Sequence, residues 1–238
     1  MKFERVELPD GAMLCDRALA AEPLVLFDRD ELSARSALSD APGGRGSVSY
    51  IALGGGEFVL RRYLRGGWAA RISQDRYLWL GEQRTRPFRE FRLLAKLLER
   101  GLPVPRPVAA RYRREGPTYR GALVTARLTG AVSLAERWLA GETGDSDWVA
   151  VGRCIRRFHD AGVQHADLNA NNIMIDGRGG TWLLDFDRGR LRESGSWHRK
   201  SLARLGRSLE KLSRLASLDD DWRARMAVLR DAHDAAGG

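Results

Sequence analysis

Asp167 lies in the stretch His165-Ala166-Asp167-Leu168-Asn169-Ala170-Asn171-Asn172, and a second acid follows in Leu183-Leu184-Asp185-Phe186-Asp187. An acid in a loop, an amide five residues on and another acid beyond two short apolar runs are the parts phosphoryl transfer needs. One carboxylate takes the proton of the acceptor hydroxyl, while an amide oxygen and a second carboxylate hold magnesium on the phosphates. Ile173 to Ile175 and Trp182 to Leu184 flank the turn residues Asp176-Gly177-Arg178-Gly179-Gly180. That spacing predicts a hairpin returning Asn172 and Asp185 to the same end, where two oxygen ligands meet one hard cation.

Such a centre needs elements that hold a nucleotide. Pro42-Gly43-Gly44-Arg45-Gly46 runs into a β-prone stretch, Ser47 to Ile51, and a second predicted strand, Glu57 to Tyr63, follows Gly54-Gly55-Gly56. A glycine flap can close over phosphates through its backbone N–H groups, with Gly44 and Gly46 the candidates; equally, a Gly-rich turn can simply connect strands. A period of two puts Val59, Arg61 and Tyr63 on one face and Phe58, Leu60 and Arg62 on the other. A protein kinase carries a phosphate-binding lysine on such a strand. Here no lysine stands between Lys2 and Lys96. The role passes to Arg61 or Arg62, whose guanidinium can hold phosphate bidentately, or it is absent and the arginine is a surface residue.

Pro87 to Arg100, followed by Gly101, reads as an amphipathic helix with Phe91, Leu94, Ala95 and Leu98 as its buried stripe. Glu90 is expected in its first turn, either serving the helix dipole or pairing with Arg61. Arginines and aromatics interleave from Arg65-Gly66-Gly67-Trp68 through Arg71, Arg76, Tyr77, Trp79, Arg84 and Arg86. They suit an acidic or lipidic substrate, or a solvated face. Upstream, Leu24-Val25-Leu26-Phe27 reads as a strand. Leu102 to Val108 reads as an extended linker, two strands flank Glu115-Gly116-Pro117-Thr118, and Gly121 to Leu128 leads out of a first lobe. The boundary is expected near Thr129-Gly130, giving lobes 1–128 and 129–238. In the second lobe, helices are predicted at Leu134 to Leu139 and from Asp147, as its cap, to Gly162. His159, His198 and His233 read as packing or surface residues. A helical tail carries leucines at 202, 205, 209, 212 and 215. So short a tail leaves little chain for a peptide-binding platform and favours a small-molecule or glycolipid acceptor.

The chain of 238 residues is 43% hydrophobic, enough for one sizeable core or two small lobes. No stretch of 18 apolar residues occurs, and the charged opening Met1-Lys2-Phe3-Glu4-Arg5 lacks a secretory pattern, so a cytosolic protein is expected. Cys15 and Cys154 are expected to be reduced packing residues. The net charge of +9 calls for an anionic partner, although 36 of the 40 basic residues are arginine, a bias that a GC-rich genome also produces. No zinc-finger, homeodomain or RNA-recognition signature accompanies the charge, which argues against nucleic acid. No protein partner is evident.

The order of glycine flap, basic strand residue, helical glutamate, HADLNANN and LDFD resembles the protein-kinase-like fold. VLRRYLRGG at Val59 to Gly67, QDRYLWL at Gln74 to Leu80, TRPFREF at Thr85 to Phe91 and HADLNANNIMID narrow the resemblance to the bacterial lipopolysaccharide core kinases, from about residue 24 to residue 215. The resemblance implies an α+β, two-lobed fold with an N-terminal antiparallel sheet plus helix and a reduced, mainly helical C-terminal lobe. It implies ATP and Mg²⁺ as cofactors and transfer to a hydroxyl, expected at the 4-position, of 3-deoxy-D-manno-octulosonic acid (Kdo) on a lipid A precursor. It also implies a peripheral protein on the cytoplasmic face of the bacterial inner membrane. By position, Asp167 is the catalytic base, Asn172 and Asp185 are metal ligands, Arg61 contacts phosphate and Glu90 is its partner. Ala166 replaces the loop arginine of protein kinases, which implies activity without a phosphorylation switch, and Asp187 replaces the glycine after Asp-Phe. The same residues would serve a heptose or other small-molecule kinase, or a nucleotide-binding pseudokinase scaffold.

Overall fold

A computed structural model describes residues 2–40, 47–64, 75–193, 195–216 and 221–236. The chain divides into two units, Met1–Lys96 with Pro105–Arg127, and Leu97–Val104 with Leu128–Gly238.

The first unit is built on strands β1 (Glu4–Leu8), β2 (Gly11–Cys15), β3 (Leu38–Asp40), β4 (Val48–Leu53), β5 (Gly56–Arg62), β6 (Tyr77–Leu78), β7 (Pro107–Glu115) and β8 (Thr118–Ala126). They form one sheet in the order β1-β2-β7-β8-β5-β4-β3, with β6 on β8 and every pairing antiparallel. Its buried face gathers Met13, Cys15, Ile51, Phe58, Leu60, Val108 and Val124 around Leu26 and Leu32. Within the residues before 24, opaque in the sequence, Glu4 to Cys15 thus form an edge hairpin joined to the sheet through β2 and β7.

Leu24 to Phe27 is not a strand. Val25–Phe27 is a 3-10 turn leading into helix α1 (Arg29–Ala34), whose first N–H groups are held by the Asp28 carboxylate, accepting from Asp30 and Glu31 at 3.1 Å. Four apolar residues carry no period, and the cap behind them decides the outcome.

Helix α2 (Arg86–Glu99) stops at Gly101, whose φ of 69° suits glycine. It buries Phe88, Phe91, Leu94, Ala95 and Leu97, whereas Leu98 of the expected stripe is only half-buried. Because the helix begins at Arg86, Glu90 falls beyond the first turn, which holds no acid. The dipole explanation for Glu90 therefore fails.

The second unit contains a three-stranded sheet, β9 (Val132–Ser133), β11 (Ile173–Ile175) and β12 (Thr181–Leu183), and a short pair, β10 (Val163–Gln164) with β13 (Arg190–Leu191). Helices α3 (Leu134–Leu139), α4 (Asp145–Asp160), α5 (Trp197–Leu215) and α6 (Asp221–Ala235) surround them. Asp147 is not the cap of α4. It is the third helical residue, reaching back to accept from Gly144 N at 2.9 Å. α6 runs against α4 so closely that a Cβ on Gly152 would lie 2.3 Å from the Leu229 carbonyl oxygen. On α5, Leu202, Leu205 and Leu209 are buried, but Leu212 is half-buried and Leu215 is 75% exposed.

Candidate active site

Asn169 starts the loop that matters. Its Oδ1 accepts from Asn171 N at 3.0 Å and Asn172 N at 3.2 Å, capping a one-turn 3-10 helix, while its Nδ2 donates to the Asp167 carbonyl at 3.0 Å. Asn172 Nδ2 donates to the same carbonyl at 2.9 Å. Two amides thus hold the backbone of Asp167, whose exposed carboxylate accepts from Asn169 Nδ2 and meets Arg204 Nη1, each at 3.3 Å. The expected hairpin is present, with Ile173 opposite Leu183, and Leu184 N donates to Asn172 O at 2.8 Å. Asn172 and Asp185 consequently leave the same end of the hairpin.

Asp185 itself has φ 61°, a left-handed conformation that Asp tolerates better than most residues, at roughly 1 kcal/mol. Its neighbour Phe186 is buried, stacked on Phe158 at 5.7 Å and meeting the edge of His165 at 4.7 Å. His165 joins the two halves: its Nδ1 accepts from Asp167 N at 3.2 Å and its Nε2 donates to Leu184 O at 2.7 Å. Both bonds require the neutral Nε2–H ring, and burial pushes its pKa below the ordinary histidine range. The Asn172 amide oxygen and the Asp185 carboxylate are hard donors of the kind magnesium takes, one or two from protein with the rest from phosphate and water. Among the described residues no group of three or more His, Cys, Asp or Glu could hold a metal unaided.

In the first unit, Glu90 is 2% exposed and accepts from Arg61 Nη2 and, at 2.6 Å, from the Tyr63 hydroxyl. The Arg61 and Arg86 guanidiniums lie 5.0 and 5.1 Å from the Tyr63 ring centroid. Arg62, on the other face of β5, lines a separate groove with Leu60, Arg111 and Arg120. Of the two arginines, the one that meets Glu90 is therefore Arg61. Gly44 and Gly46 lie outside the described residues, as do Arg65 to Arg71 of the arginine-aromatic segment. In the described part of that segment Tyr77, Trp79 and Arg86 are half-buried, Arg86 over Tyr77 and Trp79 on Tyr112, whereas Arg76 is exposed and pairs with Glu115 at 2.9 Å.

The model of the family described as "Lipopolysaccharide kinase (Kdo/WaaP) family" matches residues 32–228. The chain belongs to this family. It is 48% identical over 227 residues to a 3-deoxy-D-manno-octulosonic acid kinase of Stenotrophomonas maltophilia (strain K279a), covering 95% of this chain and 90% of that protein. It is 50% identical over 212 residues to the kinase of the same name from Xanthomonas axonopodis pv. citri (strain 306), covering 88% and 84%. Among solved structures, one titled "WaaP in complex with acyl carrier protein" matches with a TM-score of 0.53 at 17% identity, over 92% of this chain and 88% of that one. The expected fold is therefore found: an antiparallel sheet with its helix and a mainly helical second unit, arranged as a protein-kinase-like fold.

Sequence reasoning passed over His165, Asn169 and Arg204. The first two were legible in principle, as a histidine and a capping amide two residues either side of Asp167. Arg204 comes from α5, 37 residues downstream, and nothing local marks it.

Proposed function

We propose that this member of the lipopolysaccharide kinase family transfers the γ-phosphoryl group of ATP to a hydroxyl of Kdo on a lipid A precursor, the 4-hydroxyl being the expected position. The observation that carries the reading is the convergence of Asp167, Asn172 and Asp185 on one loop and one hairpin. The names of its relatives at 48 and 50% identity supply the acceptor.

Asp167 takes the proton of the attacking hydroxyl as the phosphoryl group passes to that oxygen and ADP leaves. The amides of Asn169 and Asn172 fix its backbone beforehand, so no reorganisation is needed during the reaction. Asn172 and Asp185 are the residues that would hold magnesium, which when bound neutralises charge on the phosphates. Arg61 contacts ATP phosphate, and Glu90 with Tyr63 fixes its direction. The protein works peripherally, at the cytoplasmic face of the inner membrane.

Labelled ATP offered with Kdo-lipid A precursor, heptosylated core, an aminoglycoside and a protein separates the readings. Label is expected in the Kdo acceptor. Label only in another acceptor moves the substrate, and no magnesium-dependent ATP turnover with any of them makes the chain a pseudokinase.

A further inference from the structure

Lys200, Arg204 and Arg207 follow one another at i, i+4 and i+7 on α5, so they share one helix face. All three are exposed, while the opposite face buries Leu202, Leu205 and Leu209. Together with Gln164, His165 and Ala166 they line a groove of about 350 Å³ beside the catalytic loop, and none of its lining residues is acidic. Among the described residues the carboxylate these cations meet is Asp167, through Arg204. Among the described residues Lys200 and Arg207 have no ion-pair partner, in contrast to Arg214 further along the helix, which pairs with Glu210 at 2.7 Å. Apart from Asp167, the cations face no acid of the groove, which ends at the proposed base.

We infer that the groove is the acceptor subsite: Lys200, Arg204 and Arg207 hold an anionic group of the acceptor, carboxylate or phosphate, and so bring its hydroxyl to Asp167. The inference rests on the kinase reading above. Seven helical residues span about 10 Å along the axis, the length of a sugar acid with its substituents. A sugar acid carries its carboxylate within a few ångströms of its own ring hydroxyls, so one molecule can reach both the cations and Asp167. Arg204 and its neighbours are positioning residues, and they act on binding of the acceptor rather than on the phosphoryl donor.

The test uses the full chain with Lys200→Gln, Arg207→Gln and the double variant, each checked by thermal melting against the wild type. For either single variant, KM for Kdo-lipid A precursor should rise about tenfold, and further for the double variant, while KM for ATP and kcat at saturating acceptor stay within about twofold. Lys200→Arg should restore most of the loss. Two modified acceptors identify the anion: one with the sugar carboxylate methyl-esterified, the other with the lipid phosphates removed. The acceptor on which wild type and variants become alike has lost the group that the groove holds. An unchanged acceptor KM in the double variant, a rise shared with ATP, or a penalty that neither modified acceptor abolishes would each overturn the subsite. If the wild type transfers no phosphate to this acceptor, the kinase reading itself falls and takes the subsite with it.

Discussion

At Asp167 the exposed carboxylate meets Arg204 Nη1 and accepts from Asn169 Nδ2, each at 3.3 Å, while its backbone is held by two amides. Asp167→Asn should therefore leave the melting temperature near that of the wild type and cut turnover by roughly 10²- to 10⁴-fold, the range for a positioned base. A variant with near-normal turnover would remove Asp167 from the mechanism. Arg61 differs because its partner is buried. Arg61→Ala takes a cation away from the buried Glu90 carboxylate, and breaking such a pair from one side costs about 3–5 kcal/mol. Both stability and KM for ATP should suffer. Arg61→Ala combined with Glu90→Gln should recover much of the stability, because no charge is left buried, but none of the affinity for ATP. Recovery of ATP affinity as well would show that Arg61 serves the fold and not the nucleotide.

At the scale of elements, the histidines of α4, α5 and α6 form a cluster in which His159 and His233 are buried and His198 is half-buried. His159 Nδ1 lies 2.9 Å from His233 Nε2, and the His159 ring stacks on His198 at 4.4 Å. Burial, then the neighbouring His198 and His233, and lastly Arg156, push the His159 pKa down to about 3; burial also lowers that of His198. An unfolded histidine titrates near 6.5, so below that pH the unfolded chain binds protons that the folded chain refuses. Stability is present above about pH 6.5 and is lost as pH falls toward 3, with His165 and His198 adding to the same sign. Melting temperature should be level near neutrality and decline from about pH 6 downward, with the His159 ring still neutral by NMR at pH 5. A His159 resonance titrating near 6.5 would contradict this. The hairpin was legible because its signal is local, an apolar pair around a Gly turn, and α3 lies where it was expected, closed at its start by a Ser133-to-Glu136 capping box. Val25 to Phe27 was misread for want of a period. α6 escaped notice because its one tight requirement, Gly152 against Leu229, lies on another helix.

For the molecule as a whole, the charge of +9 survives many internal pairs, such as Arg5 with Glu82, Arg35 with Glu22 and Arg106 with Asp16. No helix among the described residues is long and apolar enough to cross a membrane. Arg76, Leu78 and Leu80 alternate outward near β6, the two leucines 65% and 63% exposed. Such a strip fits the proposed peripheral attachment, with each basic residue near an anionic surface contributing about 1 kcal/mol. Flotation with anionic vesicles should weaken as salt rises and weaken further in Leu78→Asp, Leu80→Asp protein; salt-independent binding would exclude an electrostatic attachment.

Cys15 and Cys154 are free and buried, their thiols raised to about 11 and about 12 chiefly by burial. Thiolate is the reactive form, and it is suppressed at both positions while the chain is folded. Alkylation by a maleimide then becomes a clock: the two sulfurs, one in each unit, react only when their own unit opens. The native sequence carries a built-in probe that times the opening of each unit separately.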